Sequence, residues 1–201
     1  MNSNAQASVV ELGATLSRIP EAWRSELLMR VTELLVSGLD SYSKNQVAIF
    51  DEILVRLAEN APPTALVDLS TKLAPHENAP VYIVISLARN EDWKIASPVL
   101  ENSPLLTDQD IIDIAMMRRS YHLAAIAGRR RLTEAICDIL VERGNTEVSI
   151  KLVSNHGARI SEHGFVRLIN QAKTDKTLAA AIATRKDMPP ELIPFLKLTL
   201  E

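Results

Sequence analysis

Four short phrases decide how this chain folds: Val99-Leu100-Glu101-Asn102, Ile126-Ala127-Gly128-Arg129, Leu152-Val153-Ser154-Asn155 and Ile182-Ala183-Thr184-Arg185. Each closes a short apolar run, and each is followed by a helix-start signal and a second apolar run. Their last residues are separated by 27, 26 and 30 positions. That is a repeat. A two-helix unit of this length cannot enclose its own apolar side, so neighbouring units must stack.

The grammar inside the units is constant. Thr107 precedes Asp108 and Asp110, Thr133 precedes Glu134, Ser161 precedes Glu162, and Pro189-Pro190 precedes Glu191. A hydroxyl or a proline followed by an acid suits a helix N-terminus, where amides lack partners and the dipole favours negative charge. Behind each start runs an apolar stripe at helical spacing. The stripes are Ile111, Ile114 and Ala115; Ile136, Ile139 and Leu140; Phe165, Leu168, Ile169 and Ala172; and Leu192, Phe195 and Leu196.

Upstream the pattern is looser. Val9, Val10, Leu12 and Leu16 suggest a short helix within residues 1–18, and Pro20 suits the first turn of the next. That second helix carries Trp23, Leu27, Leu28, Val31, Leu34 and Leu35, and Gly38 stops it. Helices are expected over about 43–60 and 62–74. The run Val81-Tyr82-Ile83-Val84-Ile85 would suit a buried strand by propensity alone. Helix is the better reading, because a lone strand would leave its backbone groups unpaired.

Composition narrows the class. Six Gly and three Phe among 201 residues are too few for the turns and aromatic pairs of a β-rich fold. The net charge of −3 supplies no bulk attraction to DNA or to an anionic membrane. Residues 1–92 carry 7 basic and 12 acidic side chains, and residues 93–201 carry 15 and 13, so the balance moves from −5 to +2. The single Cys137 excludes an internal disulfide and a cysteine-based metal cluster, as in a reducing cytoplasm. The longest uncharged run, Asn78–Ala88, is half of what a bilayer span requires. A cytoplasmic protein without membrane contact is expected.

The phrases Leu-Val-Ser-Asn (152–155), Ile-Ser-Glu (160–162) and Ile-Ala-Thr-Arg-Lys-Asp-Met-Pro-Pro-Glu-Leu (182–192) resemble leucine-rich-repeat-variant and HEAT-like helical solenoids. The span from about Asp51 to Leu198 resembles an alphaproteobacterial domain-of-unknown-function family built on such repeats, with Ile95–Leu100, Ala124–Ala127 and Arg185–Pro189 as the matching phrases. The resemblance implies an all-α fold, a right-handed α-α superhelix of about four to five two-helix repeats. Residues 1–60 would form an N-terminal helical cap continuous with an array over 61–201. The terminal Leu200-Glu201 leads us to expect that the natural array continues further. The resemblance carries an architecture and no activity, and the cysteine cluster of the iron–sulfur leucine-rich-repeat-variant protein is missing.

The sharpest local feature is the basic turn Arg129-Arg130-Arg131. Stacked units place corresponding loops side by side, which would add Arg159 from the next loop and Arg185 and Lys186 from the one after. Six such cations on one ridge could hold phosphates or an acidic partner, since guanidinium forks match oxyanions. The plainer alternative is that these arginines are solvated or cap the carbonyl ends of the short helices they follow. Asn102, Arg129, Asn155 and Arg185 occupy one repeat position, and a structural ladder in which Asn bonds the adjacent loop backbone explains them. His156 and His163 bracket a loop beside Glu162, yet their spacing matches no zinc pattern. His76 and His122 read as loop and helix-surface residues. Cys137 lies beside an apolar stripe next to Asp138, which disfavours a thiolate.

No catalytic constellation or phosphate loop is present in this pattern, so no enzyme activity, cofactor or metal is expected. The leading expectation is a scaffold for protein–protein interaction, with a possible homodimer through the Leu27/Val31/Leu35 face. Nucleic-acid or other polyanion binding along the basic loops is the alternative, weakened by the acidic net charge and the scarcity of aromatics for base stacking.

Overall fold

The computed structural model describes residues 21–200, with side chains from residue 23 onward. The helix expected within residues 1–18, and Pro20, lie outside the described residues. Among the described residues the chain is all-helical. In order run α1 (Glu21–Gly38), α2 (Lys44–Ala58), α3 (Pro63–Leu73), α4 (Val81–Ala88), α5 (Trp93–Asn102), α6 (Asp108–Met117) and α7 (Ser120–Ala127). They are followed by α8 (Glu134–Arg143), α9 (Thr146–Ser154), α10 (Glu162–Ala172), α11 (Lys176–Ala183), a 3₁₀ turn (Pro190–Leu192) and α12 (Ile193–Leu200). The chain divides into two compact units. One reaches Val99 and includes Ser103–Leu105; the other comprises Leu100–Asn102 and the chain from Leu106 onward.

In the first unit α1 packs on α2 and α3, and α4 packs on α2 and α3. α1 turns Leu28, Thr32 and Leu35 inward, and Leu39, just past its end, continues the line; all four are buried. Thr32 is tolerated there because its hydroxyl donates to the Leu28 carbonyl at 2.6 Å. Leu35 of the expected dimer face is thus completely inside this unit, while Leu27 and Val31 sit at its border and Trp23 and Leu34 are exposed. Leu35 is therefore withdrawn from that face, because the inward stripe follows i, i+4, i+7 and i+11 from Leu28.

The β-branched run folds as helix α4, and the reason lies far away in sequence. Asp51 of α2 accepts from the Tyr82 amide at 2.9 Å and from the Ile83 amide at 2.8 Å. It caps a helix whose own N-cap residue, Pro80, offers no side-chain acceptor. Asp51 is buried, and burial pushes its carboxyl above the ordinary value although the two amide bonds pull the other way.

In the second unit every helix contacts its successor or the helix two places on. The helices α7, α9 and α11 form one row, and α6, α8 and α10, longer than these, form another that α12 continues. Two of the starts expected from sequence carry side-chain caps. Thr107 and Asp110 form a reciprocal capping box on α6, and the Ser161 hydroxyl accepts from the Gly164 amide on α10. Thr133 begins α8 without a side-chain cap bond. The stripes Ile111/Ile114/Ala115 and Phe165/Leu168/Ile169/Ala172 are buried throughout. The last stripe differs: Leu192 and Leu196 are buried, but Phe195 is 59% exposed. Phe195 points about 100° round the helix from its neighbour Leu196, toward the outer side.

Candidate functional site

The loops after the short helices of the second unit are bound to one another. Leu132 and Ala158 form a parallel bridge. The Leu132 amide donates to the Gly157 carbonyl at 3.2 Å, and the Arg159 amide donates to the Leu132 carbonyl at 3.0 Å. The bridged residues are 26 apart, the same step that separates Arg129 from Asn155. Gly157 makes the approach possible, since a Cβ there would lie 1.9 Å from the Arg130 carbonyl oxygen.

Side chains at the corresponding positions 129, 155 and 185 then reach back by one helix pair. Arg129 donates from Nη1 to the Leu100 carbonyl at 2.6 Å. Asn155 donates from Nδ2 to the Ala127 and Arg129 carbonyls at 2.9 and 2.6 Å, while its Oδ1 accepts from the Gly157 amide at 2.9 Å. Arg185 donates to the carbonyls of Asn155 (2.6 Å), Ala158 (2.8 Å) and Val153 (3.3 Å). The Asp187 carboxylate accepts from Nε and Nη2 of the same guanidinium at 2.8 and 2.5 Å. Helix C-termini leave carbonyls without intrahelical partners, and these side chains supply donors to them.

This placement sorts the six cations of the basic turn and its neighbours. The Arg185 side chain is 2% exposed, so its charge is directed into the fold. Arg129 is half-buried, and burial pushes its guanidinium pKa down against the opposing pull of Asp108. Arg130, Arg131, Arg159 and Lys186 are exposed. The bridge brings the loop of Arg130 and Arg131 beside that of Arg159, and the Arg185 bonds to Asn155 and Ala158 bring the loop of Lys186 alongside.

A second ladder, unforeseen from sequence, runs along the longer helices. Arg143 at the end of α8 donates from Nε to the Ala115 carbonyl of α6 at 3.1 Å. Gln171 at the end of α10 donates to the Val141 carbonyl of α8 at 3.0 Å and accepts from the Ser149 hydroxyl at 2.8 Å. The signal was present: polar residues 28 positions apart, each closing a longer helix. Within the same row, the Ser161 hydroxyl at the start of α10 donates to the Asp138 carboxylate of α8 at 2.6 Å.

The remaining chemistry-bearing residues are engaged or sealed. Cys137 is completely buried, and burial, with Asp138 second, pushes its thiol up to about 12. His163 accepts from Arg167 Nε at 2.9 Å, and His156 is exposed. His122 is buried in α7 at 6% exposure, which corrects its expected surface position; it lies on the inward side of that short helix with Leu123 and Ile126. Among the described residues, no three or more His, Cys, Asp and Glu are grouped to hold a metal ion. None of the described helices is long and apolar enough to cross a membrane.

One recess in the second unit is apolar and open. It lies between α10 and α12 and has a volume of about 670 Å³. Val166 and Ile169 form one wall, and Leu192, Phe195 and Leu198 form the other. Leu198 is 70% exposed.

Fold and site together define an all-helical protein whose second unit is made of successive helix pairs tied backbone to side chain. Residues 95–196 match the family described as an uncharacterised protein conserved in bacteria, DUF2336, and with half of its length matched the chain belongs to that family. Comparison with curated proteins and with solved structures gives no match.

Proposed function

We propose that this chain is a non-catalytic helical-repeat scaffold for protein–protein interaction in the bacterial cytoplasm. On this reading its helix pairs belong to a right-handed α-α solenoid of HEAT-like or leucine-rich-repeat-variant type. The supporting observation is where the polar loop residues go. Arg129, Asn155 and Arg185 are directed at the backbone of the preceding helix pair rather than converging on a cavity. Side chains used in that way hold a surface in shape, and stacked helical arrays commonly present such surfaces to partners. The test is crosslinking in the native bacterium followed by affinity capture of the full chain. A reproducible, saturable protein partner is expected, and recovery of the chain alone would remove the reading.

A second reading, polyanion binding, is favoured by one observation. Arg130, Arg131, Arg159 and Lys186 are exposed on three adjoining loops. Phosphate contacts would make affinity for a single- or double-stranded oligonucleotide fall steeply with salt. The absence of any shift at low salt would end this alternative.

A further inference from the structure

We propose that the loop edge carrying Arg130, Arg131, Arg159 and Lys186 holds a phosphate chain through guanidinium forks, without reading what the chain carries. This rests on the polyanion reading and assigns the ligand chemistry and the residues that hold it. Of the six cations on these loops, the fold itself uses two. Arg129 and Arg185 donate to backbone carbonyls of the preceding helix pair. Each has an acid at hand: Asp108 acts on Arg129, and Asp187 pairs with Arg185. The other four are exposed, and none forms an ion pair or a side-chain hydrogen bond among the described residues. Capping of helix ends thus accounts for Arg129 and Arg185 only.

The bridge fixes where two of the four point. Leu132 and Ala158 are paired in parallel, and both are buried. Side chains alternate along an extended segment, so the flanking Arg131 and Arg159 are turned to the opposite, solvent side. They are diagonal neighbours across the bridge, a separation that long side chains span. Gly157, across from Arg131, places no side chain between them, and a Cβ there would strike the Arg130 carbonyl. Arg185, bonded to the carbonyls of Asn155 and Ala158, sets Lys186 on the adjoining loop.

Contact rather than a long-range field must supply the affinity. Glu134, Glu162 and Glu191 stand exposed in the first turns of the helical segments that follow these loops, and the chain carries a net charge of −3. Steering is weak at that balance. A guanidinium compensates by presenting paired donors to two oxygens of one phosphate, and a phosphate chain repeats that target at every link. Residues 128–133, 155–161 and 184–190 include no Phe, Trp or Tyr, and the single imidazole of His156 makes no row of platforms for stacked bases. Recognition therefore falls on the backbone, a chemistry that nucleic acid and inorganic polyphosphate share.

The probes are labelled oligothymidylate, oligoadenylate and polyglutamate, with inorganic polyphosphate as competitor, followed by fluorescence polarisation with the full chain over a salt series. The two oligonucleotides should bind alike, within about threefold, with a log–log salt slope of about −3 for four contacts to a single strand. Polyphosphate should displace both, and whichever binds more tightly per charge is assigned as the source. Polyglutamate, whose charges sit on flexible stems, should bind at least about tenfold more weakly. Arg131→Lys with Arg159→Lys keeps the charge and removes the forks, so it should weaken oligonucleotide binding at least about tenfold with unchanged melting. Arg159→Gln should lower the slope by about 1. Lys173→Gln, beyond the far end of the 11-residue α10 and so about 16 Å along that helix, should leave it unchanged. Polyglutamate binding as well as the oligonucleotides overturns the phosphate chain but leaves the polyanion reading, with an acidic protein segment as the occupant. Full binding by the double lysine variant, an equal loss in Lys173→Gln, a marked preference between the oligonucleotides, or failure of polyphosphate to displace them also overturns it. No binding of any anion at low salt removes this inference and the polyanion reading together.

Discussion

Replacing Arg185 should unfasten the last helix pair of the second unit. Its guanidinium donates to three backbone carbonyls of the preceding helix pair and is held in place by Asp187. A bond from a charged donor contributes about 1.5–3 kcal/mol, but three from one buried group do not add, because ordering and desolvating that group offsets part of the gain. The net cost of Arg185→Ala is therefore about 3–5 kcal/mol, near the value for breaking a buried ion pair. Asp187 is 52% exposed and stays solvated, so the loss resides in the orphaned carbonyls rather than in a stranded acid. Arg185→Lys should recover only part of it, since a single ammonium cannot reach three carbonyls in a fork. Urea unfolding followed by circular dichroism measures the change, and hydrogen exchange locates it. Loss of protection should concentrate in residues 176–200, as expected when stacked units are coupled mainly to their neighbours. A change under about 1 kcal/mol in Arg185→Ala would refute the reasoning, since one such bond alone would exceed it.

Four further outcomes follow from the same structure. Asn155→Ala removes two donated bonds and one accepted bond and should cost about 2–3 kcal/mol, while Gly157→Ala forces a Cβ onto the Arg130 carbonyl and should cost about 1–3 kcal/mol by chemical denaturation. Cys137, with its thiol pushed up to about 12 and fully buried, should ignore a thiol-specific disulfide reagent at pH 8 until the chain is unfolded in urea. Asp175 is held below the ordinary carboxylate range first by the Thr177 hydroxyl and then by the Leu178 amide, so its contribution is present above the unfolded value near pH 4 and lost as pH falls through the lower folded value. Asp175→Asn keeps an acceptor at the cap but removes the titration, and its melting temperature should therefore decline less steeply than that of wild type on acidification below about pH 4.

Much of this fold was legible because a helix imposes a period that its apolar residues must obey. The phrase ends at 129, 155 and 185 mark the position of the ladder, and the hydroxyl and acid signals at Thr107 and Ser161 mark real caps. The direction of the loop arginines was not legible. Arg185 and Lys186 are adjacent and alike in sequence, yet one is buried and the other exposed, because only Arg185 faces the carbonyls of Val153, Asn155 and Ala158. Asp51 escaped notice for a related reason: the amides it caps are 31 and 32 residues away, and nothing local announces them. Phe195 was assigned to the inner stripe from its i−3 spacing to Leu192, a spacing that cannot tell one side of a short terminal helix from the next.

The claim on which the rest depends is that consecutive helix pairs lie in register, loop against loop. Amide exchange at Leu132 and Arg159, resolved by NMR, tests it most directly, because both amides sit in loops and find acceptors only in the neighbouring unit. The account predicts slow exchange at both, weakened together in Gly157→Ala. Exchange at both amides as fast as in an unstructured peptide would contradict it.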